Sequence, residues 1–167
     1  MLKLLISNII SKINFFFLLM CMFLILTSKS FSDSDPYIGY WIMPDKKVVI
    51  EIQKIDYKYI GYVRWLKNPT YPEGDPMEGI VQTDRNNPDL LLSKRKVLGL
   101  QVVGDLKLDS DANKLIDGWI YDSWNGKMYY GSAESIDENS LKLRGSFDKW
   151  GIFGYSMIVK RVKLTSK

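Results

Sequence analysis

The sequence predicts an all-β fold: a single antiparallel β-barrel or strongly curled sheet of about eight strands. Short runs rich in β-branched and aromatic residues follow one another, with turn residues between them. No alternation of strands with long helical segments occurs, and no internal repeat is present. Because a single antiparallel sheet of this size exposes two edges unless it closes, a barrel is favoured.

The clearest hairpin signal lies in the middle of the chain. Two β-rich runs, 116–122 and 127–134, flank the dipeptide Asn125-Gly126. Asn-Gly readily adopts the positive φ angles of a tight hairpin turn, so these runs are predicted to pair as neighbouring antiparallel strands.

The other strands are predicted from alternation of apolar and polar residues. Val48, Ile50 and Ile52, for example, fall on one face of a single strand, and Gly61 is expected to mark a bulge or bend in the next. Residues 105–108 either continue the fourth strand or begin another. These strands are predicted over residues 37–42, 47–54, 57–67, 97–103, 141–147 and 155–163.

One long loop, residues 68–96, interrupts the series of strands. It contains several prolines and glycines, and a loop of this length in a compact domain usually has a function or its own short helix. Asn87-Pro88 fits the start of a helical turn, with Asn87 as N-cap and Pro88 at the first helical position. The leucines at 90–92 are then expected to pin the loop over an apolar surface or an opening.

Residues 1–32 are predicted to be a signal peptide, in helical form, preceding a domain at 33–167. An unbroken apolar run at 15–26 has the length of a signal core and is short for a membrane span. Small residues suited to cleavage follow at Ser28, Ser30 and Ser32. The alternative is an uncleaved membrane anchor.

Composition excludes several classes of site. The chain has no histidine, and its single cysteine, Cys21, lies in the N-terminal apolar run. Ser-His-Asp and Cys-His catalytic sites, a zinc site of the usual ligands and a disulfide within the domain are therefore excluded. We predict no cofactor and no metal.

The net charge does not indicate a nucleic-acid partner. Of the 23 basic side chains, three (Lys3, Lys12 and Lys29) lie in residues 1–32, which contain no acid. The remaining 20 basic and 19 acidic side chains make the domain almost neutral, so no nucleic acid is expected as a partner. Contact with a membrane is expected only through the signal segment.

Several short motifs, in order along the chain, resemble the bacterial DUF2147 family, a domain of unknown function. The resemblance spans nearly the whole domain. The matching segments are Gly-Tyr-Trp at 39–41, Gly-Tyr-Val-Arg-Trp-Leu at 61–66, Asp-Arg-Asn-Asn-Pro-Asp at 84–89, Val-Leu-Gly-Leu at 97–100, Gly-Trp-Ile-Tyr-Asp at 118–122, Gly-Lys-Met-Tyr at 126–129 and Leu-Lys-Leu-Arg-Gly at 141–145.

The resemblance implies a small protein exported to the periplasm of a Gram-negative bacterium, and it implies no activity. Two departures from the family pattern stand out. Many members carry cysteines near the position of Gly61, and many carry a tryptophan just before the final Arg161-Val162; this chain has neither. No redox or disulfide role is therefore carried over.

A polar cluster on the long loop is the first candidate ligand site. Its residues would bind a polar group at a barrel mouth, or would hold the loop by hydrogen bonds to nearby backbone, as Asn and Asp commonly do. The cluster consists of Asp84, Asn86, Asn87, Asp89 and Arg95.

Aromatic residues of the central hairpin are the second candidate. Trp119, Tyr121 and Tyr129 would line a cavity for a flat or apolar ligand, or would serve as plain core and cross-strand pairs. Asp122 beside the turn is added to this set: it either pairs with Lys127, caps the strand end, or forms half of a carboxylate pair.

Three functions remain open. The favoured one is a periplasmic barrel, lipocalin-like in outline, that binds a small apolar or amphipathic ligand. The alternative is a non-enzymatic interaction module of the cell envelope with a solid core and a protein partner. A carboxylate-based hydrolase ranks third, and no catalytic residue is assigned, because fold alone does not fix function.

Overall fold

The computed structural model describes residues 35–109 and 113–164, which form a closed antiparallel barrel of eight strands in chain order. The predicted signal segment, 1–32, lies outside the described residues, as do residues 33–34, 110–112 and 165–167. The strands are β1 (Gly39–Ile42), β2 (Val48–Ile55), β3 (Lys58–Leu66), β4 (Gln101–Asp109), β5 (Lys114–Asp122), β6 (Lys127–Asp137), β7 (Ser140–Ser146) and β8 (Gly154–Val162).

The barrel closes because β1 pairs with both β2 and β8, which leaves no free edge among these strands. The predicted fold class and strand count are thus confirmed. The bulge expected at Gly61 is also present, as a shift of register between β3 and β4 on both sides of this residue. Residues 105–108 continue β4.

Over the part of the chain that is described, no helix is long and apolar enough to cross a membrane.

Two local predictions, the start of the fourth strand and the φ angles of Asn125-Gly126, were wrong in detail. The fourth strand begins at Gln101 rather than at 97, because residues 97–100 form a turn in which the Leu100 amide donates to the Val97 carbonyl (3.1 Å). The predicted central hairpin is confirmed: β5 and β6 pair on either side of residues 123–126, where the Gly126 amide donates to the Asp122 carbonyl (2.8 Å). Only Gly126 of the Asn-Gly pair has positive φ (69°), since a longer loop needs one such residue rather than two.

The expected helical turn in the long loop is a single turn, in which the Asp89 carbonyl accepts from the amides of Leu92 and Ser93 (both 3.0 Å). Asn87 caps it as predicted, its side-chain oxygen accepting from the Asp89 amide (2.9 Å). The leucines do not pin the loop: Leu90 and Leu91 are 80% and 86% exposed.

One end of the barrel is plugged by the segment that precedes β1. Tyr37 is buried, its hydroxyl donates to the Asn113 carbonyl (2.7 Å), and its ring meets that of Tyr59 edge to face. The fully buried indole of Trp41 donates to the Tyr37 carbonyl (2.9 Å). The remaining large side chains that are almost fully buried include Ile52, Leu106, Leu115, Leu141 and Val159.

Arg161 of β8 holds the segment that precedes β1 in place at this end of the barrel. Its guanidinium lies over the Trp41 ring, 4.3 Å from the centroid, and donates to the carbonyls of Pro36 and Ile38 (both 2.7 Å). The same side chain also donates to the Glu138 carbonyl (2.7 Å), so it joins the plug, β1 and the β6–β7 turn. With one end filled in this way, any opening lies at the other.

We expect Trp41→Ala to lower the free energy of unfolding by about 3–5 kcal/mol, since it removes a fully buried indole and leaves a cavity beneath Arg161. Urea denaturation followed by circular dichroism measures the change. Trp150→Ala is the matched control: Trp150 is 75% exposed, so its loss should change stability by no more than about 0.5 kcal/mol. Equal effects of the two substitutions would contradict this account of the plug.

Candidate functional site: an open cavity in the barrel

A cavity of about 690 Å³ occupies the half of the barrel away from the plug and opens to solvent. Its walls come from most of the strands. Val48 and Ile50, predicted to share one face of their strand, both line the cavity, as do Leu143, Gly145 and Phe147.

The deep part of the cavity is apolar. Ile50, Val63 and Val103 are almost fully buried and form its floor, with Leu143 and Met157 beside them. Sequence reasoning did not assign Val63, Val103 or Met157 to a site. Strand alternation signals only that such residues point inward; whether the interior there is filled or empty depends on residues far apart in the chain.

The mouth of the cavity is polar. It is bordered by the β1–β2 turn, the end of β3, the 123–126 loop and the start of the long segment. Carboxylates, ammonium groups and amides lie together here: Asp45, Lys47, Lys67, Asn68, Gln82 and Asp122. The Gln82 side chain donates to the Asn68 carbonyl (2.8 Å), which ties the long segment to the end of β3.

Four of the predicted site residues form one hydrogen-bonded cluster beside the cavity wall. Asp84 is fully buried, and one of its carboxylate oxygens accepts from the Tyr121 hydroxyl (2.6 Å). The other accepts from the Asn87 amide (2.8 Å) and the Arg95 guanidinium (2.7 Å). Asn87 also donates to the Tyr121 hydroxyl (2.8 Å). The carboxylate is therefore occupied by the protein itself, as a buried charge requires.

This cluster fixes the long segment to the barrel. Tyr121 borders the cavity, so its contact with Asp84 links the loop directly to the cavity wall. Burial, and secondarily the nearby carboxylate of Asp84, raises the pKa of Tyr121 to about 12. Asn86 adds a second tie by donating to the Trp124 carbonyl (2.6 Å) in the β5–β6 loop.

The other predicted residues are separated from one another. Tyr129 lines the cavity, its ring packing edge to face on Phe147 (5.2 Å) and its hydroxyl accepting from the Asn125 amide (3.0 Å). Asp122 lies at the mouth, opposite Lys127 in the strand register, and its carboxylate accepts from the Trp124 amide (2.9 Å).

Of the nine predicted residues, only Tyr121, Asp122 and Tyr129 line the cavity, and the others, Trp119 and Asp89 among them, lie away from it. Trp119 packs beside Gly104 of β4, with its indole nitrogen donating to Asp105 (3.1 Å). Asp89 accepts from the Leu91 amide (2.8 Å) within its own turn. Across residues 35–109 and 113–164, no three acidic side chains come together as a metal site would require.

Comparisons with known proteins agree with this architecture. A family model described as "Uncharacterized protein conserved in bacteria (DUF2147)" matches residues 39–161 and confirms the resemblance seen in the motifs. No curated protein matches the chain.

A solved structure from Helicobacter pylori, titled "Protein HP1028 from the human pathogen Helicobacter pylori belongs to the lipocalin family", has a similar fold. Its TM-score is 0.63 at 22% identity, over 76% of this chain and 83% of that one. At this identity the likeness concerns the fold alone, which is lipocalin-like.

We expect Tyr121→Phe to lower the free energy of unfolding by about 1–3 kcal/mol, because it removes a donor from the buried Asp84 carboxylate. Urea denaturation measures the loss. Tyr130→Phe, on the neighbouring strand and half exposed, is the control and should change stability by about 0.5 kcal/mol or less. A neutral Tyr121→Phe would mean that the cluster does not anchor the segment.

The contribution of Tyr121 should also depend on pH. Its pKa is raised in the folded protein to about 12, from the ordinary tyrosine value of about 10, so folding favours the protonated hydroxyl. The stabilisation is complete below pH 10 and is lost as the pH rises towards 12. The difference in unfolding free energy between wild type and Tyr121→Phe should therefore shrink over this window; a constant difference would contradict the assignment.

Proposed function

Because the chain belongs to the DUF2147 family of uncharacterised bacterial proteins, whose description names no activity, we propose a function from its own cavity. The protein is a binding protein for a small apolar or amphipathic molecule. The observation that carries this proposal is the open cavity of about 690 Å³, within the roughly 300–1,000 Å³ typical of small-molecule sites.

The floor of the cavity supports an apolar ligand or ligand segment. The aliphatic side chains of Ile50, Val63 and Val103 offer no hydrogen-bonding group there, and Met157 and Leu143 continue the same surface. Transfer of an apolar chain from water to such a surface gains about 25 cal/mol per Å² buried. A ligand of this kind would bind without any specific polar contact at the floor.

The polar mouth supports an amphipathic ligand over a purely apolar one. Lys47 and Lys67 border the opening beside Asn68 and Gln82, so cationic and amide donors lie where a polar head group would emerge. An apolar tail at the floor and a head group at the mouth would use both parts of the cavity.

The other two functions have less support. An interaction module with a solid core does not account for the cavity. For a hydrolase, Asp45 and Asp122 are carboxylates at the mouth, but each accepts a backbone N–H of its own turn, from Lys47 (3.0 Å) and Trp124 (2.9 Å). We include no catalysis in the proposal.

The proposed setting is the periplasm, reached by export through a cleaved signal peptide. The apolar run at 15–26 and the serines that follow it support this part of the proposal. Reading the N-terminus of the mature protein by mass spectrometry tests it: a start near residue 31 or 33 is expected, and an intact Met1 would overturn cleavage.

Met157→Trp replaces a flexible thioether that lines the cavity with a bulky indole. We expect it to weaken binding of the uncharged fluorescent probe N-phenyl-1-naphthylamine by roughly tenfold or more. The control is Met128→Trp, at an exposed position of β6 outside the cavity lining, which should bind as wild type does. Fluorescence titration gives both affinities. No binding by wild type, or equal binding by both variants, would count against the cavity as the site.

Native mass spectrometry of protein purified gently from its host gives a second test with no added probe. Extra mass that disappears on denaturation would support a bound natural ligand and begin to identify it. Its absence in wild type, together with no probe binding, would overturn the proposal.

A further inference from the structure

An exposed apolar patch lies at the open end of the barrel, beside the cavity mouth. It is formed by the β7–β8 loop and the residues that flank it, and every member is at least two-thirds exposed. The patch, called the rim patch below, consists of Phe147, Trp150, Ile152, Phe153 and Tyr155. Contiguous apolar surface of this kind commonly marks a binding surface for a protein or a membrane.

The loop that carries the rim patch is rigidly built. The Asp148 carboxylate accepts from the amides of Trp150 and Ile152 (both 3.0 Å) and of Phe153 (2.6 Å). The Phe147 amide donates to the Phe153 carbonyl (2.8 Å). The chain therefore holds these apolar side chains outward by a specific set of hydrogen bonds.

The same contacts satisfy several polar backbone groups of the loop from within. Besides the amides bound by Asp148, the carbonyls of Gly151 and Ile152 accept from the Arg144 guanidinium. A loop can enter an apolar medium only when its backbone groups have internal partners. Such internal pairing is needed at a lipid surface, whereas a protein partner could supply hydrogen bonds of its own.

Two lysines project beside the rim patch, where an anionic surface would meet it, and the mouth itself carries both signs of charge, with Asp45 and Asp122 near Lys47 and Lys67. In the neighbouring loops 123–127 and 147–153 the charged side chains are Lys127, Asp148 and Lys149. Because the Asp148 carboxylate is turned onto backbone amides, the two lysines are the charges of these two loops that project. Lys149 lies against the Trp150 ring (5.0 Å), a pairing of cation and indole suited to the boundary between head groups and acyl chains.

We propose that the rim patch docks the barrel, open end first, onto the surface of a phospholipid bilayer that contains anionic head groups. Phe147 and Tyr155 belong to both the patch and the cavity lining, so a docked barrel would face its mouth toward the lipid. This goes beyond the expectation that only the N-terminal segment meets a membrane. It also goes beyond ligand binding, since the patch would dock whether or not the cavity holds a ligand.

The protein is purified in the form that accumulates in its host cells. The test measures its partition onto vesicles of phosphatidylcholine with and without phosphatidylglycerol. We expect binding that is stronger with phosphatidylglycerol and weaker in high salt. Trp150→Ser combined with Phe153→Ser should lower the partition coefficient by about tenfold or more, since two large apolar side chains no longer enter the lipid. The control pair is Ile55→Ser with Tyr57→Ser, exposed apolar residues at the plugged end, which should leave partition unchanged.

A second readout separates the rim patch from residues 1–32, which would bind lipid themselves if they were retained. Bromine-labelled lipid should quench the fluorescence of Trp150, assigned by difference from a Trp150→Phe variant. Failure of wild type to bind, or an unquenched Trp150 in bound protein, would overturn the proposal. So would a dimer in native mass spectra that the Trp150/Phe153 variant loses, since the patch would then pair two copies of this chain.

Binding of a ligand in the cavity and docking of the rim patch on a membrane can be tested independently of each other. Trp150 and Phe153 do not line the cavity, so the double variant should still bind N-phenyl-1-naphthylamine as wild type does. Loss of vesicle binding with retained probe binding is the expected result for that variant.

Discussion

The contact of Arg161 with Trp41 is the constraint on which the rest of the barrel depends. It joins the first strand to the last, and the same guanidinium holds the carbonyls of the segment that plugs one end. A cation stacked on an indole and bound to three carbonyls is worth more than either contact alone, because the ring lies in a water-poor site. Once this end is closed and filled, the only direction in which a cavity of this barrel can open is the other end.

The open end of the barrel is stabilised by a different set of contacts, which involve the long connection between β3 and β4. Ordering the 34-residue connection between β3 and β4 costs conformational entropy, and a buried carboxylate helps to offset this cost together with the buried side chains of Tyr71, Val97 and Leu100. Asp84 gathers three donors, and one of them, Tyr121, belongs to the strand that borders the cavity. The polar groups of this cluster are therefore taken up by contacts within the protein, and the open cavity lies beside it, with aliphatic residues in its deep part.

Apolar surface at this end is exposed in two separate places. Leu90 and Leu91 extend from the long segment, and the rim patch extends from the β7–β8 loop. Exposing large apolar side chains to water is costly. In the β7–β8 loop the hydrogen bonds of Asp148 keep these side chains turned outward, so they do not fold back onto the barrel. A barrel that takes its ligand from lipid and one that only holds a soluble ligand would differ here, at the rim, while sharing the same interior.

The sequence by itself determined the class of fold, the number of strands and most of their limits, because alternation and turn residues are local signals. It also excluded histidine and cysteine chemistry, and Asn87 could be recognised as a cap from its neighbour Pro88 alone. Tertiary structure decided the rest: that Tyr37 enters the barrel instead of beginning a strand, that Asp84 is buried, and that Leu90 faces water. These outcomes depend on which distant residues meet, as when Tyr121 reaches a loop 37 positions away, and local patterns carry no information on such pairings. For the same reason only the folded chain shows that one half of the barrel is filled and the other half open.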